Sequence, residues 1–87
     1  MRAIAFHQSA FEQYSEWAKI DKKLFARIRR LILDSAKEPF LGIGKPEPLK
    51  GDLRGYWSRR ITDEHRLVYK VTDEFITITS CKFHYTD

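Results

Sequence analysis

Apolar residues along the chain keep a helical rhythm in its first half and a strand-like one in its second. After a short apolar-leaning stretch from Arg2 to Phe6, suited to a first strand, Ala10, Phe11, Tyr14, Trp17 and Ala18 recur at helical spacing. Glu12, Gln13, Glu16 and Lys19 lie between them, and Ser9 with Glu12 forms the capping-box pattern that predicts the helix start. A second helical stripe follows in Leu24, Ile28, Leu31 and Ile32, with Phe25 alongside and Lys22, Lys23, Arg27, Arg29 and Arg30 on the other faces. Asp21 is its predicted N-cap, and Pro39, which lacks the N–H and restricts the residue before it, is its predicted stop.

From Phe40 to Asp52, glycines and prolines surround Lys45, Glu47 and Lys50, and this punctuation predicts neither helix nor strand. Loops of such length within a small domain more often serve function than mere connection. Three strand-like runs follow: Leu53 to Ile61, His65 to Val71 and Phe75 to His84. Thr62-Asp63-Glu64 and Thr72-Asp73-Glu74 separate them and are short enough for hairpins. The outline is β-α-α-β-β-β, an α+β fold with a helical hairpin packed on a mainly antiparallel, twisted sheet.

Strand parity adds an expectation about side chains. A first hairpin turning about Asp63 sets Arg60 opposite Arg66, and a second turning about Asp73 sets Arg66 opposite Ser80. Arg60, Arg66, Ser80, Lys82 and His84 would then share one face, and a one-residue slip in either hairpin would dissolve the group.

The chain has 87 residues, so one domain spanning 1–87 is expected, with a small core. Its 43% hydrophobic and 32% charged content is that of a globular protein. The single cysteine, Cys81, excludes an internal disulfide and offers no metal-ligand spacing, so neither a stapled mini-protein nor a zinc module is expected; Cys81 reads as a small buried residue. The start, MRAIAFHQS, lacks the apolar run of a signal peptide, and no stretch reaches the length of a membrane span, which predicts a cytoplasmic setting without membrane contact. A formal charge of +4 inclines the surface towards polyanionic partners such as RNA, DNA or an acidic protein.

Two facing arginines repel unless an anion lies between them, so Arg60 and Arg66 form a candidate phosphate clamp. Glu47, held extended between Pro46 and Pro48, presents its carboxylate at little entropic cost beside Lys45 and Lys50. Metal-free RNA cleavage needs a base for the 2′-OH, cations for the phosphorane and an acid for the 5′-oxygen. Glu47, the arginine pair and His84 fill those roles, with no metal or cofactor required. Simpler accounts remain open on spacing alone. Glu47 can be a solvated loop carboxylate, the arginines can pair with Asp63, Glu64 or other carboxylates, and His84 can be a polar strand end. His7 and His65 have no companions that suggest chemistry.

The run GIGKPEPLKGDLRGYWSRRITDEHRLVYKVTD at 42–73, with CKFHY at 81–85, resembles the YoeB/Txe family of RelE-like toxins from type II toxin–antitoxin systems. The likeness extends through the Trp17 helix and Pro39-Phe40. It implies a RelE-like fold and a ribosome-dependent mRNA endoribonuclease that cuts in the ribosomal A site, leaving a 2′,3′-cyclic phosphate (or its opened 3′-phosphate) and a 5′-hydroxyl. By the same likeness Glu47 is the general base, His84 the general acid, and Arg66 with Arg60 the transition-state clamp. Lys50, Lys45 and Tyr85 become substrate contacts. The Thr86-Asp87 extension departs from the usual family ending. Implied partners are an antitoxin of the YefM/Phd type, the ribosome with its 16S rRNA, mRNA, operator DNA through the antitoxin complex, and a second copy in a homodimer. The basic residues of the second helix, Lys22, Lys23, Arg27, Arg29 and Arg30, are candidates for ribosomal RNA. The competing functions are a protein-directed toxin of the same fold, of the gyrase-inhibiting ParE type, and a non-catalytic RNA-binding regulator.

Overall fold

In the computed structural model, which describes residues 1–83, Asp21 divides the helical half of the chain. Its N–H donates to Trp17 O (3.0 Å), closing α1 (Gln8–Ile20), and its carboxylate accepts from Leu24 N (3.1 Å), opening α2 (Lys22–Lys37). One residue thus ends one helix and caps the next, as expected of an N-cap aspartate. At the far end Glu38 N still reaches Asp34 O (2.9 Å), and Pro39, with no N–H to give, stops α2. No helix among the described residues is long and apolar enough to cross a membrane.

The start of α1 differs from the capping-box expectation. His7 is the N-cap and makes no side-chain cap bond, so Ser9 already lies inside the first turn. The cause is tertiary: His7 N donates to Ile78 O (2.9 Å), which holds His7 extended as a continuation of β1 (Ala3–Phe6) until the helix takes over.

One five-stranded sheet, in the order β1-β5-β4-β3-β2, carries the second half of the chain. Its later strands are β2 (Glu47–Pro48), β3 (Tyr56–Arg60), β4 (Arg66–Val71) and β5 (Phe75–Ser80). All neighbours are antiparallel except β1 with β5, which run parallel. The Gly/Pro-rich loop is therefore more ordered than its composition suggests, with a two-residue strand and a 3₁₀ turn at Gly51–Leu53. Pro48 is tolerated because β2 lies at the sheet edge, where a missing donor leaves no neighbour unpaired.

The first hairpin has the expected register, Arg60 opposite Arg66. The second does not. Thr72 N closes onto Phe75 O (2.9 Å), so the turn centres between Asp73 and Glu74, and Tyr69 faces Ile78. A bulge then sets Val68 opposite Ser80, the place expected for Arg66, with the Thr79 hydroxyl donating to Val68 O (3.2 Å).

Side-chain alternation divides the sheet. Ile61, Leu67, Tyr69, Ile76 and Ile78 face the helices and pack with Ile28, Leu31, Ile32, Ala36 and Trp17 into the buried core. Each fully buried aliphatic side chain there contributes about 1.5–3 kcal/mol of transfer free energy. Ser58, Arg60, Arg66 and Val68 alternate with these residues and belong to the opposite face.

Candidate active site

On that opposite face β2, β3 and β4 bring three of the sequence-predicted residues together. Glu47 sits across from Ser58, Ser58 across from Val68, and Arg60 across from Arg66. The Glu47 carboxylate lies 3.7 Å from Arg66 Nη1, with the glutamate side chain 61% exposed and the arginine 19%. Among the described residues Arg66 Nε is buried without a hydrogen-bond partner. Arg60, which is more exposed, pairs with Asp63 at 3.5 Å. The two arginines thus each lie near a different, exposed carboxylate, and an incoming phosphate would compete with long, weak contacts.

The loop that delivers Glu47 is fixed from beneath. Arg59 points to the helix side, fully buried, and its Nη1 bonds Asp34 Oδ2 (2.5 Å) and Ile43 O (3.0 Å). Its Nη2 bonds Glu38 O (2.6 Å) and Leu41 O (3.0 Å), and its Nε bonds the Tyr69 hydroxyl (3.0 Å). The Tyr69 hydroxyl in turn donates to Pro39 O (2.7 Å). Gly44, at φ +79°, gives its carbonyl to Arg60 N (2.7 Å). A Cβ there would come within 2.7 Å of Leu31 Cδ2, so only glycine lets the loop pass this close. Arg27 closes the corner by donating to Ile61 O (2.8 Å) and Arg60 O (3.1 Å). That corrects its candidacy for RNA: this cation is already committed within the fold.

Other expected residues have different settings. Lys45 and Lys50 are exposed on the loop, and the cation brought to Glu47 is Arg66, not either lysine. Lys82, expected among the arginines, turns to the helices: its Nζ bonds Glu16 Oε1 (2.7 Å). The reason is that β5 ends at Ser80, so strand alternation no longer governs residue 82. His84 and Tyr85, with Thr86 and Asp87, lie outside the described residues. Cys81 is buried as expected, and burial pushes its thiol up to about 12, with Lys82 acting weakly the other way.

Two residues escaped the sequence reading. Arg59 could have been found, because the parity that gives Arg60 one face gives Arg59 the other. His65 gave no comparable signal. Its buried ring lies edge-on to Trp17 (4.9 Å), and its Nδ1 accepts from Phe83 N (2.8 Å), a contact distant in sequence.

Residues 6–85 match the family model described as the YoeB-like toxin of bacterial type II toxin–antitoxin systems. The chain belongs to this family. It is 57% identical to Toxin YoeB of Streptomyces coelicolor over 82 residues, covering 94% of this chain and 98% of that protein. The YoeB dimer from Staphylococcus aureus superposes with a TM-score of 0.88 at 48% identity, covering 97% of this chain and 98% of that one. The heterotetrameric YoeB–YefM toxin–antitoxin complex from the same organism gives 0.87 at 48%, covering 98% and 99%. The chain is accordingly a toxin of a type II toxin–antitoxin system, with the RelE-like α+β fold of its structural neighbours.

Proposed function

We propose that this YoeB-family toxin is a ribosome-dependent endoribonuclease that cuts mRNA in the A site by 2′-OH attack, without a metal. The observation that supports it most directly is the Glu47–Arg66 pair, an exposed carboxylate 3.7 Å from a largely buried guanidinium. Glu47 takes the 2′-OH proton, and the freed oxygen attacks the adjacent phosphorus. Arg66 and Arg60 offset the charge of the phosphorane through charge-assisted hydrogen bonds. His84 gives a proton to the departing 5′-oxygen, so the products are a 2′,3′-cyclic phosphate and a 5′-hydroxyl. Lys45, Lys50 and Tyr85 contact the substrate. The reading extends to a YefM/Phd-type antitoxin as partner, operator DNA bound through that complex, a homodimer and a cytoplasmic location.

Primer extension on a defined message in a purified translation reaction tests it. Glu47→Ala and His84→Ala each lose about 10²–10⁴-fold in cutting rate while still binding ribosomes, the usual worth of a general base or acid. Normal cutting by both variants would overturn the mechanism. Growth arrest by the wild type without cutting would favour the protein-directed toxin.

A further inference from the structure

Phe83 immediately precedes the proposed general acid and is held at both ends of its backbone by two consecutive residues. Its N–H donates to His65 Nδ1 (2.8 Å), and its carbonyl, part of the peptide bond to His84, accepts from Arg66 N (3.1 Å). Phe83 adopts φ +62°, a left-handed conformation that a non-glycine residue keeps only when its surroundings impose it. The segment before it is anchored as well: Trp17 Nε1 donates to Cys81 O (2.9 Å), and Gln13 Oε1 accepts from Cys81 N (2.8 Å). These contacts bring the chain to Phe83; the His65 bond turns it there.

The His65 ring is held in place by packing on both sides. It is 8% exposed, lies edge-on to Trp17 and tilts against the Phe83 ring (5.5 Å). To accept from Phe83, Nδ1 must be bare, so the neutral ring carries its proton on Nε2, which points towards Glu64 Oε1 at 3.6 Å. His65 is also the residue before Arg66, so two consecutive residues at the entry to β4 carry the clamp guanidinium and the contact to Phe83.

Resting on the endonuclease reading above, we propose that His65 is a positioning residue for His84. By accepting the Phe83 N–H it fixes the backbone of the residue that precedes the acid. Misplacement of a reacting group by about 1 Å can cost on the order of 10²-fold in rate.

The experiment uses the full-length toxin with programmed ribosomes, comparing His65→Phe, which keeps a ring and removes the acceptor, with His65→Asn, whose amide oxygen can take the same bond. Cutting is followed in single turnover over a range of ribosome concentrations, and Phe83 amide exchange is followed by NMR on the free toxin. His65→Phe is expected to lower the maximal rate on the order of 10²-fold, with half-saturation unchanged and Phe83 exchange accelerated at least about tenfold. His65→Asn is expected to restore rate and protection to within a few-fold, and the wild-type ring to show the Nε2–H tautomer. Wild-type cutting by folded His65→Phe would overturn the proposal, and so would equal loss in a folded His65→Asn. Wild-type cutting by His84→Ala, run alongside, would remove the acid assignment and this proposal with it, while the Phe83 exchange data would still stand as a separate result on the tether.

Discussion

Arg59 has five N–H donors in a rigid fork, and its five hydrogen bonds end on Asp34, Tyr69 and the carbonyls of Glu38, Leu41 and Ile43. Removing the fork strands these acceptors, so Arg59→Leu should lower unfolding free energy by about 3 kcal/mol or more in urea titration. Lysine should rescue little, since a point charge cannot reproduce the fork. Its neighbour gives the control: Arg60→Ala removes an exposed pair and should change stability by no more than about 0.5 kcal/mol. Asp34 adds a pH signature. Burial tends to raise its pKa, but the Arg59 hydrogen bond, the Ile43 N–H and the charges of Arg59 and Lys37 together hold it below its ordinary value of 3.8. A carboxylate depressed on folding stabilises at neutral pH, and that contribution disappears as pH falls through the folded value. Asp34→Asn should therefore be less stable than the wild type at pH 7, with the gap closing below about pH 4; a gap independent of pH would contradict the assignment.

At the scale of elements, Asp21 is where local sequence and fold agree most closely. Asp21→Ala should cost about 1 kcal/mol in the same titration, the usual loss of an N-cap, while Asp21→Asn or Asp21→Ser should recover most of it. The helices, the Pro39 stop and the first hairpin are legible because each depends on nearby residues. The Arg60–Arg66 pairing follows from a turn centred on a single residue, Asp63. Legibility ends where distant partners intervene. His7 displaces the Ser9 capping box because β5 already holds its N–H; in the second hairpin the turn centres between Asp73 and Glu74, and a bulge then offsets Val68 further. Glu47 stands out in the sequence for its prolines and its family motif, but its contact with Arg66 depends on β2 joining the sheet edge, which composition argues against. Lys82 leaves the arginine face because strand parity does not extend past the end of β5.

For the whole molecule, a charge of +4 on 87 residues inclines the surface towards anionic partners without locating a site for them. The fold divides the cations into separate groups. Arg59 is consumed in the interior, Arg27 at the β3 corner and Lys82 by Glu16, whereas Arg60 and Arg66 stand near Glu47. Lys22, Lys23, Arg29 and Arg30 remain exposed on α2, apart from the candidate site. If this helix meets ribosomal phosphates, its cations should govern binding while the site governs cutting. Neutralising all four should weaken ribosome binding and flatten its salt dependence, by roughly 0.7–0.9 in log affinity per log salt for each phosphate no longer engaged. Arg66→Ala should instead slow cutting at saturating ribosomes and leave that slope nearly unchanged, because it frees at most one phosphate. Sedimentation binding at several salt concentrations, alongside single-turnover cutting, separates the two effects. An unchanged slope in the fourfold variant would mean that α2 faces solvent on the ribosome, and that the excess charge serves another partner.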